Sequence, residues 1–124
     1  MAQAIGNVSI ITLILFVLCI LNHYKIASAA VYAVGDAQGW SFGIQSWPIG
    51  KQFHTGDILV FTYPNTRHSV VVVDENGFRT CNSTKGQEFT SGNDQIKLQK
   101  EQNYFICGKP GHCAGGMKMT ISAA

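Results

Sequence analysis

Two strand-like segments flank a glycine-rich loop in Tyr104-Phe-Ile-Cys107-Gly-Lys-Pro-Gly-His112-Cys-Ala-Gly-Gly-Met117-Lys-Met-Thr-Ile-Ser122. The loop carries a thiol, an imidazole and a thioether at five-residue intervals, on Cys107, His112 and Met117. Its glycines and Pro110 allow the chain to turn tightly enough to direct all three groups inward. The stretch therefore predicts a pair of strands whose connection gathers soft metal ligands.

A distant histidine completes this donor set. His68 opens the segment His68-Ser-Val-Val-Val-Val73, whose β-branched residues predict a buried strand. Two imidazoles and one thiolate in a plane, with a long axial thioether, form the site that holds blue copper. We therefore predict a copper ligand set of His68, Cys107, His112 and Met117. No coordination position is left for a substrate, which predicts that the protein is not an enzyme.

Other interpretations of these residues are open from the sequence. Zinc also binds two His and one Cys, with water in the fourth position, but a thioether is a poor zinc ligand. Met117 shares an alternating face with Met119 and Ile121 and could be a core residue. His54 has no such neighbours and is expected at the surface. Trp40, Trp47 and the phenylalanines are expected in the core.

The N-terminus has the pattern of a secretory signal peptide. Val8 to Leu21 is a mostly apolar run, and Ala27-Ser28-Ala29 is a small-residue cleavage site. No Lys or Arg precedes the run, and an uncleaved membrane anchor is the alternative interpretation. We predict removal of residues 1–29 and one mature domain of residues 30–124 in the extracellular space.

The charge and the C-terminus limit the classes of partner. Removal of residues 1–29 leaves eight basic and seven acidic residues, a net charge of +1, with no basic run. A nucleic-acid footprint is therefore not predicted. The C-terminal residues show no hydrophobic tail that would signal a lipid anchor. We expect a monomer with no stable membrane anchor.

The cysteine count of the mature domain is odd. Cys81, Cys107 and Cys113 remain after the leader is removed, and an oxidising compartment favours disulfides. Because Cys107 lies among candidate ligands, Cys81 and Cys113 are left to pair. The alternative is a Cys107–Cys113 bridge with Cys81 free. Asn82-Ser83-Thr84 is a possible N-glycosylation site in a polar stretch.

The mature chain consists of short strand patterns separated by turn residues. Asp74 to Gly77 is expected to be a turn with Asn-Gly at its centre, Phe78 to Cys81 extended, and Asn82 to Gly92 a loop. About seven strands with this spacing predict an all-β domain, a two-sheet β-sandwich. The predicted strands are 31–34, 57–63, 68–73, 78–81, 95–98, 104–107 and 117–122.

These segments together resemble the phytocyanin family, and within it the plantacyanin or basic blue protein subgroup. The matching blocks are Ala30 to Gly35, Gly39-Trp40, Gly56 to Leu59, His68 to Val73, Ser91 to Leu98 and Tyr104 to Met117. The resemblance implies a cupredoxin-like Greek-key sandwich, one type 1 copper ion and a Cys81–Cys113 bridge. It also implies an extracellular plant protein, in the apoplast or cell wall, whose physiological partners are poorly defined.

One position departs from the family pattern. The residue after the first His ligand is usually Asn, and that side chain ties the ligand strand to the cysteine loop; here it is Ser69. Because Ser is shorter, the support of the site and its reduction potential are expected to differ.

The sequence thus predicts a secreted blue copper protein that carries single electrons between Cu(I) and Cu(II). Its expected partner is an unidentified redox protein. The alternative is a signalling or adhesion protein of the extracellular matrix, with a cell-surface partner, in which copper is structural or redox-sensing.

Overall fold

The computed structural model describes residues 2–23 and 28–124, with side chains described for 9–22 and 28–124. Helix α1 spans Ala2–His23, and large apolar side chains along it, such as Phe16 at 64%, are exposed. Within the described part of the chain, no helix combines the length and apolar character needed to cross a bilayer. In the predicted leader, residues 1 and 24–27 lie outside the described residues, and they include Ala27 of the predicted cleavage site.

Among the described residues, seven strands form two sheets, which confirms the predicted all-β sandwich. One sheet has the order β1-β2-β5, with β1 parallel and β5 antiparallel to β2; the other has the antiparallel order β4-β3-β6-β7. The strands are β1 (Val31–Ala33), β2 (Ile58–Thr62), β3 (Val70–Val73), β4 (Gln87–Phe89), β5 (Asn93–Lys97), β6 (Glu101–Ile106) and β7 (Lys118–Ala123).

The core lies between the two sheets. Phe61 of β2 packs against Phe105 of β6 with ring centroids 5.1 Å apart, and both are buried. Along β7, Met119 and Ile121 are buried while Thr120 between them is exposed, as the alternating pattern predicts. Met119 is therefore a core residue, as expected.

Residues 74–81 differ from the prediction, which was wrong in placing a turn and then an extended segment here. Helix α2 spans Glu75–Thr80. Asp74 caps it by accepting the N–H of Gly77 at 2.7 Å, and Cys81 ends it with φ 54°. An Asp followed by a short polar run begins a helix as readily as a hairpin turn, and the local sequence does not separate the two.

Strand β4 lies inside residues 82–92, where a loop was predicted, so the prediction was wrong for Gln87–Phe89. Its residues pair with Val70, Val71 and Val72 of β3. Because β4 is the edge strand of its sheet and is largely exposed, it lacks the apolar alternation by which buried strands are detected. Two 3₁₀ helices, Asp36–Gln38 and Ile44–Ser46, occupy the irregular segment after β1.

Candidate metal centre

His68 lies just before β3 and is 7% exposed. Its backbone N–H donates to the carbonyl of Pro64 at 3.0 Å, which closes the turn that leads into the strand. The indole Nε1–H of buried Trp40 donates to the carbonyl of Ser69 at 2.9 Å. These two bonds fix the backbone on both sides of the imidazole.

The loop from Cys107 to Met117 is held by its own backbone. The N–H of Cys107 donates to the carbonyl of Met117 at 3.0 Å, and the N–H of Met117 donates to the carbonyl of His112 at 2.9 Å. Gly111 has φ 78°, a conformation that glycine adopts without a steric penalty. The loop therefore folds back at the end of β6 and returns His112 towards Cys107.

Three of the predicted donors converge. His68 Nδ1 lies 3.1 Å from His112 Nδ1, and Cys107 Sγ lies 3.5 Å from the same nitrogen. All three donor atoms lie within 4.8 Å of one another. A metal ion binds an imidazole nitrogen at about 2.0–2.1 Å and a thiolate sulfur at about 2.3 Å. With angles of about 100–110° at the metal, two such nitrogens lie about 3.1–3.4 Å apart. A nitrogen and a sulfur on the same metal then lie about 3.3–3.6 Å apart. The observed spacings fit a single metal ion.

Met117 supplies the feature that distinguishes copper from zinc. It is fully buried, at 0% exposure, and belongs to the same core cluster as Cys107. A buried thioether beside a thiolate and two imidazoles matches the soft donor set of blue copper. The residues present therefore fit a type 1 copper ion.

The electrostatics of the site favour metal binding. Burial lowers the pKa of His68 below its ordinary value, and the charges of His112 and Arg67 lower it further. A lowered pKa keeps the imidazole neutral, which is the form that binds metals.

The disulfide joins Cys81 and Cys113, with Cα atoms 5.7 Å apart. The predicted pairing is confirmed, and the alternative Cys107–Cys113 bridge is wrong. Cys107 is a free, buried thiol. Because Cys113 follows His112 directly, the bridge fixes the metal loop to the end of α2.

Phe42 borders the metal centre, although its size and apolar character predict a core position. It is 49% exposed, and its ring centroid lies 5.0 Å from that of His112 and 5.9 Å from that of His68. The expectation was wrong because Phe42 lies between Ser41 and Gly43, residue types that favour an exposed turn. Trp40 is buried, as expected, and Trp47 is only partly buried.

Ser69 is fully buried and contacts the metal loop. Its hydroxyl donates to Glu88 Oε2 at 3.0 Å and accepts the N–H of Gly108 at 3.0 Å. Glu88 was not a candidate, because nothing in the sequence relates an acidic residue of a polar stretch to a residue 19 positions earlier.

Two further residues lie apart from the metal centre. The side chain of His54 is 67% exposed and lies 3.9 Å from Asp57, which agrees with its expected surface position. Asn82 is exposed, and its side-chain oxygen accepts the N–H of Thr84 at 3.0 Å.

Comparison with known proteins agrees with this geometry. Residues 37–117 match the family model of the plastocyanin-like domain. The chain is 56% identical over 95 residues to the basic blue protein of Cucumis sativus, covering 76% of this chain and 99% of the relative. It is 42% identical over 127 residues to chemocyanin of Lilium longiflorum, covering 100% of both.

A solved structure shows the same fold. Cucumber basic protein, a blue copper protein, superposes with a TM-score of 0.74 at 54% identity, covering 77% of this chain and 100% of that one. The fold, the donor set and these similarities agree, and the chain belongs to the phytocyanin family of cupredoxins, with a type 1 copper ion as its cofactor.

Proposed function

We propose that the protein is a secreted single-electron carrier in which His68, Cys107, His112 and Met117 would hold the copper ion. The observation that carries the proposal is the convergence of two Nδ1 atoms and one Sγ within 4.8 Å. When bound, copper supplies a one-electron Cu(II)/Cu(I) couple. The protein holds the donors in one arrangement that suits both oxidation states.

The surroundings of the donors favour electron transfer over catalysis. Cys107, Met117 and His68 are 2%, 0% and 7% exposed, so three of the four proposed ligands are shielded from water. A catalytic metal site keeps an open position for water or substrate. The closed set therefore supports a carrier that is not an enzyme.

His112 is the proposed exit for the electron. It is the only one of the four that is not classed as buried, and exposed Pro110, Gly111 and Ala114 surround it in sequence. Phe42 packs against its ring and adds apolar surface beside it. A partly exposed ligand bordered by apolar surface suits a transient contact with a redox partner. We expect that partner to be a soluble protein and the carrier to be a monomer.

The backbone of Ala30, the first residue of the predicted mature domain, is held by the buried carboxylate of Asp57. Asp57 is 3% exposed; one carboxylate oxygen accepts the N–H of Ala30 at 3.0 Å and the other accepts the N–H of His54 at 2.8 Å. Cleavage after Ala29 would turn the Ala30 amide into an ammonium group facing this carboxylate, and a charge-assisted hydrogen bond is stronger than a neutral one. This supports removal of residues 1–29, and secretion would place the mature domain of residues 30–124 in the extracellular space.

The test is an absorption spectrum of the protein secreted by cells that express the full chain. With one equivalent of Cu(II) we expect an intense visible thiolate-to-copper band that disappears on reduction and returns on oxidation. Cys107→Ser should lose the band and keep the fold.

A colourless protein that retains zinc in preference to copper would refute the proposal. A blue protein that exchanges no electrons with soluble redox partners, yet binds a cell-surface protein equally well without copper, would favour the signalling alternative.

A further inference from the structure

We propose that Glu88 is a positioning residue for the copper site, acting through Ser69 to hold the cysteine loop and placing an unneutralised negative charge beside it. The inference rests on the proposed electron-carrier function. Within the described part of the chain, this edge-strand carboxylate forms no hydrogen bond with any of the four proposed ligands.

Sheet register brings Glu88 to the site. Val71 of β3 lies opposite Glu88 of β4 on one side and Ile106 of β6 on the other. Continuing the antiparallel β3–β6 register by two residues places Ser69 opposite Gly108. Residues two apart on a strand share a face of the sheet, so Glu88, Ser69 and Gly108 lie on the same face.

The hydrogen-bond geometry requires a partner such as Glu88. A serine hydroxyl has one proton to donate, and Ser69 Oγ already accepts the N–H of Gly108 at 3.0 Å. Its proton is directed to Glu88 Oε2 at 3.0 Å. The carboxylate thus fixes the orientation of the Ser69 hydroxyl. Because Oγ of this hydroxyl accepts the N–H of Gly108, the carboxylate also holds that second hydrogen bond in place.

The close packing at Gly108 is a second, independent observation. A Cβ on this residue would collide with the Glu88 carboxylate and lie 2.8 Å from Ser69 Oγ. The carboxylate therefore rests against the backbone that follows Cys107. The Ser69 hydroxyl reaches from the His68 strand to the cysteine loop by itself, and Glu88 orients that hydroxyl, whereas an Asn amide at position 69 would carry its own donor and acceptor.

The charge of Glu88 has a consequence of its own. Within the described part of the chain, no basic side chain forms an ion pair with Glu88. Glu88 is exposed, so solvent weakens its field, but a negative charge against the backbone of Gly108, next to Cys107, still stabilises Cu(II) relative to Cu(I) and lowers the reduction potential.

The experiment separates the hydrogen bond from the charge. Glu88→Gln keeps an oxygen acceptor but removes the charge, whereas Glu88→Ala removes both. Amide hydrogen exchange of Gly108, measured by NMR in the copper-free protein, reports the hydrogen bond, and voltammetry of the copper-loaded protein reports the charge. Glu75→Gln is the matched control, since Glu75 is exposed and lies beyond the far end of β3.

In Glu88→Ala we expect Gly108 to exchange roughly tenfold faster or more, because its acceptor loses its orientation. Glu88→Gln should keep Gly108 protected. Both variants should show a raised reduction potential. Adding Ser69→Asn to Glu88→Ala should restore protection of Gly108, because the amide supplies both a donor and an acceptor.

The proposal is overturned if Gly108 exchange and the potential in Glu88→Ala match those of the Glu75→Gln control, or if Ser69→Asn restores no protection. If Glu88→Ala fails to fold, the reduction potential of Glu88→Gln tests the charge effect instead. A Glu88→Gln potential equal to that of the unaltered protein overturns the proposed charge effect. The exchange measurement needs no copper. A protein that forms no blue site would therefore refute the proposed function and leave this test of Glu88 intact.

Discussion

The backbone N–H of Cys107 donates to the carbonyl of Met117 at 3.0 Å, so the first and last proposed ligands of the loop lie side by side at its base. This bond joins the end of β6 to the start of β7. It fixes the backbone of Met117 whether or not its side chain meets a metal. Substitutions of the Met117 side chain should therefore leave the loop closed.

Met117 is expected to set the reduction potential more than copper retention. Met117→Gln supplies a harder oxygen donor that favours Cu(II), so the potential should fall. Met117→Leu removes the axial donor, so the potential should rise. Both variants should stay blue, and voltammetry measures the shifts.

Met119→Leu is the matched control, because Met119 is equally buried on the same strand face and should leave the potential nearly unchanged. Shifts of the same sign in the two Met117 variants, or no shift, would show that Met117 is only a packing residue.

The disulfide should account for a large share of the stability. Cys81 and Cys113 are separated by 32 residues, and chain-entropy arguments give about 3–4 kcal/mol for a loop of this length. Denaturant unfolding of the mature Cys81→Ala/Cys113→Ala variant should show that loss, with weaker copper retention because the bridge adjoins His112.

Thiol titration checks the same assignment. The copper-free mature protein should contain one reactive thiol after unfolding without reductant, and Cys107→Ser should contain none. A count of three thiols would contradict the bridge.

Phe42 should protect the metal centre more than it stabilises the fold. It is half-exposed, so Phe42→Ala should reduce the unfolding free energy by less than the roughly 3–5 kcal/mol typical of a buried Phe. Removing the ring opens His68 and His112 to water, and a chelator should extract copper faster. Ile49→Ala, at a residue 77% exposed, is the control; equal extraction rates in the two variants would count against this role.

The stability of the copper-free protein should fall as the pH drops below about 6.5. Burial lowers the pKa of His68 from its ordinary value of 6.5, so the unfolded chain binds the proton more tightly than the folded chain. Between the lowered pKa and about 6.5, protonation therefore favours unfolding, and stability rises with pH through this window. Urea unfolding across the window should show the slope, and His68→Gln should flatten it.

A free amino terminus at Ala30 should stabilise the mature domain. Its ammonium group would face Asp57, and hydrogen bonds to charged groups contribute about 1.5–3 kcal/mol. A protein that begins at Ala30 should therefore unfold at a higher denaturant concentration than one with an acetylated Ala30. Asp57→Asn should reduce this difference in denaturant concentration. An equally large difference in Asp57→Asn would show that the ammonium group does not act through Asp57.

The sequence alone determined the features that depend on short spacings. Cys107, His112 and Met117 lie within one loop, so their chemistry is visible as a motif, and the alternation along β7 indicates a half-buried strand. The odd number of mature cysteines singled out Cys107 because its neighbours are ligand types. These inferences needed only residue type and local spacing.

Tertiary structure decided the features that depend on long-range packing. His68 meets His112 across 44 residues because β3 and β6 pair in a particular register. The helix after Asp74 and the edge strand β4 have ambiguous local patterns, and packing against β3 and β6 selects their conformation. The place of Glu88 beside Ser69 follows from the pairing of β4 with β3, because hydrogen bonds between strands bring together residues that are distant in the sequence and share no local pattern.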